Sequence, residues 1–587
     1  MLDKTIAKVL FIDLTKRSFW VEVREELFNK YLGGAGVAIN LLSEECPQGA
    51  DPLGPNNVIV FAVGPLVNMF PMASKTAAFF KSPLTGNLGE SYCGGRSAVA
   101  LRSAGYGAIV IKGASETPVY IAVHGDNVHF RDAATYWGMR STHGVGRIIR
   151  ENEEGAGVRT IMRIGGAGEK LVRYSMVVTE TYRHFGRLGL GAVFGSKKLK
   201  ALVISGKKTF PVVNKTEYRK IYKEIYDKEV KSPLLQKYHE LGTASNILVL
   251  NELGGLPTKN LKSTSFDAGE NISGELLAEF YLGRRTACAH CPVACIHLAT
   301  LREPYEDESY FYKTTWVSYD YEPLFSLGSM LGISNTQGVL KLMHEVELLG
   351  FDAMSVGVVL AWVTEAMETG LISTKETLDL KFSWGDYNAY IKAIKHIMNQ
   401  PNEFYTYLAK GVEAAALKYG GLDFALAFGG NEMPGYHTGP AAIINHLTGA
   451  RHSHLDSGGY SLDQKVLAKK VEMEFTPEKI AEKLFEEEAW RQVLSSLIVC
   501  FFARGVYTED VVIKALNTMG YNFTENELKN IGSEMLKLKQ KFKLREGFKP
   551  ENLKIPKRAL ETTTPHGKID EEIIREAVKA YFKKVQE

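Results

Sequence analysis

The hydrophobic rhythm of the chain changes near residue 210. Before it, short apolar or alternating runs end at Gly, Pro, Asn or Asp: KVLFIDL (8–14), SFWVEV (18–23), NVIVFAVG (57–64), AAFFKS (77–82), GAIVIKG (107–113), PVYIAVHG (118–125), RTIMRIG (159–165) and KALVISG (200–206). Such runs predict strands joined by tight turns. From about Asn214, apolar residues recur every three or four positions instead. TEYRKIYKEIYDKEV (216–230), GELLAEFYLG (274–283), GVLKLMHEVELLG (338–350) and VGVVLAWVTEAMETG (356–370) therefore read as helices. A third stretch, from roughly Asn402, alternates glycine-rich loops with charged helices such as PEKIAEKLFEEEAWRQVLSSLIV (477–499) and ENELKNIGSEMLKLKQKF (525–542). The class expected is α+β, with the strands gathered at the front.

Composition narrows the function classes. Of 587 residues, 45% are hydrophobic and 23% charged, ordinary for a soluble globular protein. Lys+Arg is 70 against Asp+Glu 67, a net charge of +3, so no basic surplus marks a nucleic-acid or membrane-surface protein. No signal-peptide h-region and no run of about 20 apolar residues stands out. Six cysteines are too few for a disulfide scaffold, and a reducing cytoplasm is the expected location.

Half of that sulfur lies in eight residues, Cys288-Ala-His-Cys291-Pro-Val-Ala-Cys295. Thiolates so close converge on one inorganic centre, zinc or an iron–sulfur cluster. A structural zinc site usually gathers a second CxxC-like pair, and none exists here. Three clustered cysteines with one remote partner favour a [4Fe-4S] cluster; zinc and unliganded core thiols remain the alternatives. His290 and His297 stand beside the cluster, as neighbours rather than ligands. Gly186-Arg187-Leu188-Gly189-Leu190-Gly191 fits neither a dinucleotide fingerprint, since Gly195 comes one residue late, nor a Walker loop, since Gly195-Ser196-Lys197 reverses the Lys-Ser order.

Several stretches together resemble the tungsten-containing aldehyde:ferredoxin oxidoreductase family: FIDLTKRSFWVEV with YLGGAGVAINLL, KSPLTGNLGESYCGG with SAGYGAIVIKG, IGGAGEKLVRYSMVV, and GRLGLGAVFGSKKLKAL. The resemblance implies a β-rich base domain for a bis-pterin cofactor (1–210) and two mainly helical domains (211–415 and 416–587). It makes Cys500 the fourth cluster ligand, beside Cys288, Cys291 and Cys295, and leaves Cys46 and Cys93 inert. Lys75 stands where the family puts a cation on cofactor phosphate. Ser91, Gly94 and Gly95 match its phosphate and Mg²⁺ turn, with Tyr92 where Asn is common, while Arg187, Gly189 and Gly191 offer a guanidinium and glycine clearance. The family's DxxGLD motif reads Glu347-Leu-Leu-Gly350-Phe-Asp352. Its DxxGLC partner reads Ser495-Ser-Leu-Ile498-Val-Cys500, keeping only the cysteine.

By the same resemblance, Glu322 is the general base, His454 the hydrogen-bond donor to a carbonyl oxygen, with His452 as the other candidate. Tyr321 and Tyr436 orient the substrate. The implied reaction oxidises an aldehyde to a carboxylic acid with water. Its cofactors are tungsten bis-pterin (molybdenum being the alternative metal), Mg²⁺ and one [4Fe-4S] cluster. Electrons pass to ferredoxin or to a small polyferredoxin-type subunit. Low-potential reduction of a carboxylic acid or aromatic acyl thioester is the rival on the same fold, and a non-catalytic electron-transfer protein is the rival outside it. The helix before the first motif reads Lys341-Leu-Met-His344, where some members carry a metal-binding ExxH that bridges a homodimer; a lysine there repels the ion, so that bridge is not expected.

Overall fold

The computed structural model describes residues 3–180, 182–212, 214–305 and 308–587. Strands β1 (Lys8–Asp13), β2 (Ser18–Val23), β3 (Ile59–Ala62), β4 (Thr76–Lys81), β5 (Leu88–Cys93) and β6 (Ala108–Lys112) build one sheet in the order β2-β1-β6-β3-β4-β5. Only the β1–β6 pair is parallel. A second sheet joins β7 (Val119–His124), β8 (Asn127–Asp132), β9 (Val158–Arg163), β10 (Val177–Val178), β11 (His184–Phe185) and β12 (Leu199–Gly206) in the order β11-β10-β9-β12-β7-β8. All of β3 and β12 is buried, which is why both read as continuous apolar runs. The class is α+β, as the texture predicts.

The segment GELLAEFYLG does not form the expected helix. One α-turn (Gly274–Leu276) and a π-turn (Leu277–Tyr281) lead straight into β13 (Leu282–Thr286), which pairs with β14 (Ile296–Tyr305). β14 in turn pairs with β15 (Glu308–Tyr319). Gly283 lies so near the next strand that a Cβ there would meet Thr300 Oγ1 at 2.0 Å, so strand pairing overrides the apolar spacing. The cysteine motif is the connection between β13 and β14.

Helix ends aim the functional residues. The helix Thr336–Leu349 is capped by Asn335 Oδ1, which accepts from Gly338 N–H at 2.7 Å, and is stopped by Gly350 at φ +83°. Helix Ala353–Glu368 follows at once, capped by Asp352. Helix Pro477–Ser496 ends against the loops of the first sheet: a Cβ on Gly34 would sit 2.3 Å from the Ser495 carbonyl oxygen, and one on Gly64 2.4 Å from that of Ser496. Val493, Leu494, Leu497 and Ile498 accordingly share a core with β1, β3 and β6, whereas Ile574 and Tyr581 of the C-terminal helix join a second core built around residues 324–447. Among the described residues, no helix is long and apolar enough to cross a membrane.

Glu229, in helix Lys215–Lys231, is only 1% exposed, and neither carboxyl oxygen has a hydrogen-bond partner. Burial pushes its carboxyl up to about 8. The folded chain thus keeps a proton that the unfolded chain releases above about 4.3. Stability therefore falls as pH rises from that value to about 8. Glu229→Gln removes the ionisation, so it raises stability on the order of 2 kcal/mol at pH 8 and changes it little at pH 5; denaturant unfolding at the two pH values measures the difference.

Candidate active site

Backbone hydrogen bonds hang the cysteine loop in place. Met72 N–H donates to the His290 carbonyl at 2.9 Å, and the Met72 carbonyl accepts from Cys500 N–H at 2.9 Å. Ala289 N–H donates to the Gly95 carbonyl, also at 2.9 Å. Three distant segments thereby bring Cys288, Cys291, Cys295 and Cys500 to the wall of one cavity of about 370 Å³. Met72, His290, Ala294 and Ile498 adopt left-handed backbone, with φ of +55°, +55°, +52° and +63°. Each non-glycine residue there costs roughly 1–2 kcal/mol, a strain that the surrounding bonds must hold.

The chemistry of this wall suits an anionic inorganic group. Burial pushes the Cys295 thiol up to about 11 and raises Cys291 further. Lys75 and Arg183 face them. Burial alone would lower both cations, yet the Cys500 and Cys288 charges hold Lys75 above its ordinary value, and Cys295 and Cys288 do the same for Arg183. Gly94 permits the convergence, since a Cβ there would lie 2.7 Å from Cys288 Sγ and 3.3 Å from Lys75 Nζ. Among the described residues, no three His, Cys, Asp or Glu side chains are gathered tightly enough for a single metal ion.

Glu347 and Asp352 stand on the cavity's other side. Glu347 Oε1 faces His184 Nε2 at 3.2 Å and His143 Nε2 at 3.4 Å. Burial would raise this carboxyl, but the two histidines hold it far below the usual carboxylate range. Asp352 Oδ2 accepts from Arg187 Nε (3.0 Å) and Ser355 Oγ (2.6 Å), while Oδ1 caps the Met354 amide (3.0 Å). Arg187 Nη2 donates to the Glu432 carbonyl at 2.8 Å, and its Nη1 is buried with no protein partner. An orphaned guanidinium N–H on a cavity wall is a donor set for a hydrogen-bonding anionic cofactor. Ser495 also lines the cavity, beside Tyr92, whose hydroxyl donates to Glu90 Oε1 at 2.7 Å.

Glu322, the second residue of the short helix Tyr321–Leu327, lines the same cavity. Its Oε1 accepts from Tyr436 Oη at 2.9 Å and lies 3.2 Å from His454 Nε2. Burial would raise Glu322, but the His454 contact and then Tyr436 keep it below its ordinary value, hence ionised. Tyr436 stacks at 4.2 Å on Tyr460 and lies 4.9 Å from the His454 ring.

Two family models match the chain: the aldehyde ferredoxin oxidoreductase N-terminal domain over residues 9–206, and domains 2 and 3 of that family over 219–586. The chain belongs to the aldehyde ferredoxin oxidoreductase family. It is 31% identical to the tungsten-containing aldehyde ferredoxin oxidoreductase of Thermococcus kodakarensis, over 96% of this chain and 93% of that one. Identity to the protein of the same name from Pyrococcus furiosus is 31%, over 93% and 90%. The WOR-like subunit of an aliphatic sulfonate oxidoreductase from Pyrococcus furiosus is also 31% identical, over 70% and 67%. Among solved structures, the active site complex BamBC of benzoyl coenzyme A reductase, in complex with 1,5 dienoyl-CoA, shares the fold at TM-score 0.83 and 20% identity, covering 99% of this chain and 94% of that one. The relatives are oxidoreductases, and this family member is an enzyme of that class.

Not every residue named from sequence reaches the cavity of this family member. Lys75, Gly94, Arg187, Glu322, Glu347, Asp352, His454, Ser495 and the four cysteines line it. Ser91 pairs within β5, and Gly95 lends its carbonyl to the cysteine loop. Gly189 and Gly191 are close-packing positions behind Arg187: Cβ atoms there would meet the Arg173 and Met176 carbonyl oxygens at 2.1 and 2.6 Å. Tyr321 is buried and donates to the Gly435 carbonyl. His452 turns away, its Nδ1 against the His446 carbonyl (2.9 Å) and its Nε2 against Lys543 Nζ (3.0 Å). His290 is exposed, and His297 is spent on the carbonyls of Cys295 and His239. Cys46 and Cys93 are buried, each 1% exposed.

Arg183, His184, Asp320 and Arg451 also line the cavity and went unread in the sequence. Arg183 and His184 fall in the gap between two matched stretches, and Arg451 is adjacent to the histidine pair. Asp320, 3.6 Å from Arg183, is pushed up to about 6 by burial and then by Glu322. Charge-assisted bonds are roughly twice as strong as neutral ones, so Glu347→Ala is expected to lower retained pterin per chain several-fold and Ser495→Ala less than twofold. Pterin released on denaturation, quantified by fluorescence against protein, measures both.

Proposed function

We propose that this enzyme oxidises aldehydes to carboxylic acids, RCHO + H₂O → RCOOH + 2 e⁻ + 2 H⁺. The observation that carries the reading is the Glu322–His454 pair, backed by buried Tyr436, on the wall of one cavity with four thiols, Lys75, Arg187 and Glu347. The names of the relatives supply the substrate class. Cys288, Cys291, Cys295 and Cys500 would hold a [4Fe-4S] cluster. Lys75, Arg187, Glu347, Asp352 and Ser495 would hold a tungsten bis-pterin with its Mg²⁺. Bound there, these groups supply a two-electron acceptor and a one-electron carrier.

The chain's own residues handle the proton. Glu322 is ionised and accepts at Oε2, because Tyr436 and His454 both address Oε1. Water added to the carbonyl carbon loses its proton to Glu322 Oε2, while His454 Nε2–H, 3.2 Å from Oε1, donates to the carboxylate and holds it in position. Tyr436, whose phenol burial keeps neutral, holds the carboxylate in position. Ferredoxin or a small iron–sulfur subunit receives the electrons. On the helix before the first motif, Lys341 pairs with Glu303 at 2.8 Å and the His344 ring lies 6.2 Å from that of His143, an arrangement that supports the absence of a metal-bridged dimer.

The test is elemental analysis of anaerobically purified protein, then an aldehyde panel with a viologen acceptor. Expected are four iron and four labile sulfide per chain, about one tungsten or molybdenum, and viologen reduction dependent on aldehyde. Stoichiometric zinc without iron would rule the reading out. Glu322→Gln should slow aldehyde oxidation by about 10² to 10⁴ with metal content unchanged, and His454→Asn should slow it more than His452→Asn. A Glu322→Gln enzyme with full metal content and wild-type turnover would falsify the role of the glutamate.

A further inference from the structure

One part of the cavity wall reaches solvent. Among the described residues that line the cavity, Leu455 alone is exposed, at 37%. It follows His454 directly, so the opening lies beside the Glu322–His454 pair. Phe501 and Phe502, next after Cys500, line the cavity too and are half-buried. Tyr238 stacks on Phe502, ring centres 4.1 Å apart at 22°, and is close enough to Cys500 and Glu322 to feel their charges. Tyr460, stacked on Tyr436, has its ring 6.0 Å from that of His454.

This apolar wall is held from behind. Arg491 Nε donates to Glu487 at 2.8 Å and its Nη1 to the Leu455 carbonyl at 2.8 Å, while its guanidinium lies 5.3 Å from the centre of the Phe501 ring. Gly458 makes room for it, since a Cβ there would lie 2.5 Å from Arg491 Nη2. Arg504 Nη1 donates to the Phe501 carbonyl at 2.8 Å. The loop of Leu455 and the segment of Phe501 are thereby tied together across the opening.

Each phenylalanine has one neighbour against its ring, Arg491 or Tyr238, and still keeps surface on the cavity. A single half-open apolar side chain is ordinary. Two rings and a leucine at the opening of a cavity whose inner walls are charged make the arrangement of a ligand site, apolar contact with a few polar groups that fix orientation. The inner walls carry the cysteines and the residues assigned to the cofactor, which leaves the side at the opening to substrate. A flat ring gains more from this wall than a short alkyl chain does, through area and through ring–ring contact.

We propose that Leu455, Phe501 and Phe502 form the substrate entrance and select aryl aldehydes over short aliphatic ones. The proposal rests on the reading that this enzyme oxidises aldehydes. The aryl ring lies against the two phenylalanines, and its carbonyl carbon reaches Glu322 and His454.

Benzamide is the probe, because it keeps the ring and carbonyl of benzaldehyde but has no aldehyde C–H to oxidise. Titration calorimetry on the holoenzyme is expected to show benzamide binding about tenfold tighter than propionamide. Benzaldehyde should exceed propionaldehyde in kcat/KM by the same order, the difference falling on KM. Leu455→Gln, at an exposed position where substitutions disturb stability little, and Phe502→Ala should each shrink the benzamide preference by about threefold or more, and Phe502→Tyr should keep it. Iron content and the paramagnetic signal of the reduced cluster identify a Phe502 variant that has disturbed neighbouring Cys500, and Leu455→Gln then decides alone. Equal binding of the two amides, or a preference that survives these substitutions, would overturn the entrance. Propionaldehyde oxidised as efficiently as benzaldehyde overturns it as well and leaves the aldehyde reading intact. If viologen reduction fails with every aldehyde while the benzamide preference and its loss in the variants hold, the aldehyde reading falls and the aryl-selecting entrance stands.

Discussion

The backbone of Met72 holds the site together. Its N–H reaches the cysteine loop at His290 and its carbonyl takes the amide of Cys500, so one residue of the first sheet's connection fixes the spacing of thiols more than 200 positions apart. That geometry requires left-handed backbone at Met72, and the loops it joins answer with left-handed His290, Ala294 and Ile498. Four such residues cost several kcal/mol together, by roughly 1–2 kcal/mol each. They persist because the helix Pro477–Ser496 is pinned from behind, where only glycine at 34 and 64 lets its last carbonyls approach the sheet. The glycines far upstream and the cysteine far downstream are therefore parts of one joint.

Electrostatics sets the second condition. The cavity wall places Lys75, Arg183, Arg187 and Arg451 against Asp320, Glu322, Glu347 and Asp352. Burying isolated charges costs many kcal/mol, so each carboxylate is met: Glu347 by two histidines, Asp352 by Arg187, Glu322 by His454 and Asp320 by Arg183. Lys75 answers thiols, and Arg183 answers both thiols and Asp320, 3.6 Å away. Cations beside four thiols favour the thiols' ionised form, the form in which they bind an inorganic centre.

Much of this was legible in the sequence, for identifiable reasons. Strands β1, β3, β6, β7, β9 and β12 are short apolar runs closed by turn residues, and the cysteine spacing announces its own chemistry. The hairpin β14–β15 escaped because the helical texture around it dominates and Leu276–Tyr281 does begin a helical turn before Gly283 forces strand pairing. Short β10 and β11 carry too few residues for a period to show. Among site residues, Glu322 and His454 were found through their neighbours, but choosing between His452 and His454 needed the backbone: His452 has φ +55°, which swings its ring to Lys543. Arg183 and His184 carry no motif; only folding sets them beside Cys295 and Glu347.

The two motifs read by resemblance share a backbone path rather than a sequence. Glu347–Asp352 and Ser495–Cys500 each follow a helix end, and each turns through a left-handed residue at its fourth position, Gly350 at +83° and Ile498 at +63°. The first uses glycine, which enters that region freely. The second uses a β-branched residue, for which the same turn is strained. Ile498 is fully buried in the first core, so apolar packing of its side chain offsets the backbone cost that glycine would have avoided. With Ser495 in place of an acid, the second motif brings no carboxylate, and the wall beside it is lined by Tyr92 and Arg451, behind which Glu90 accepts from Tyr92 at 2.7 Å and pairs with Lys539 at 2.7 Å. The turn at Ile498 lets Cys500 N–H reach the Met72 carbonyl, while charge beside this motif arrives from other elements, Arg451 among them. In this chain the backbone path does the positioning, and side-chain charge is supplied from elsewhere in the fold.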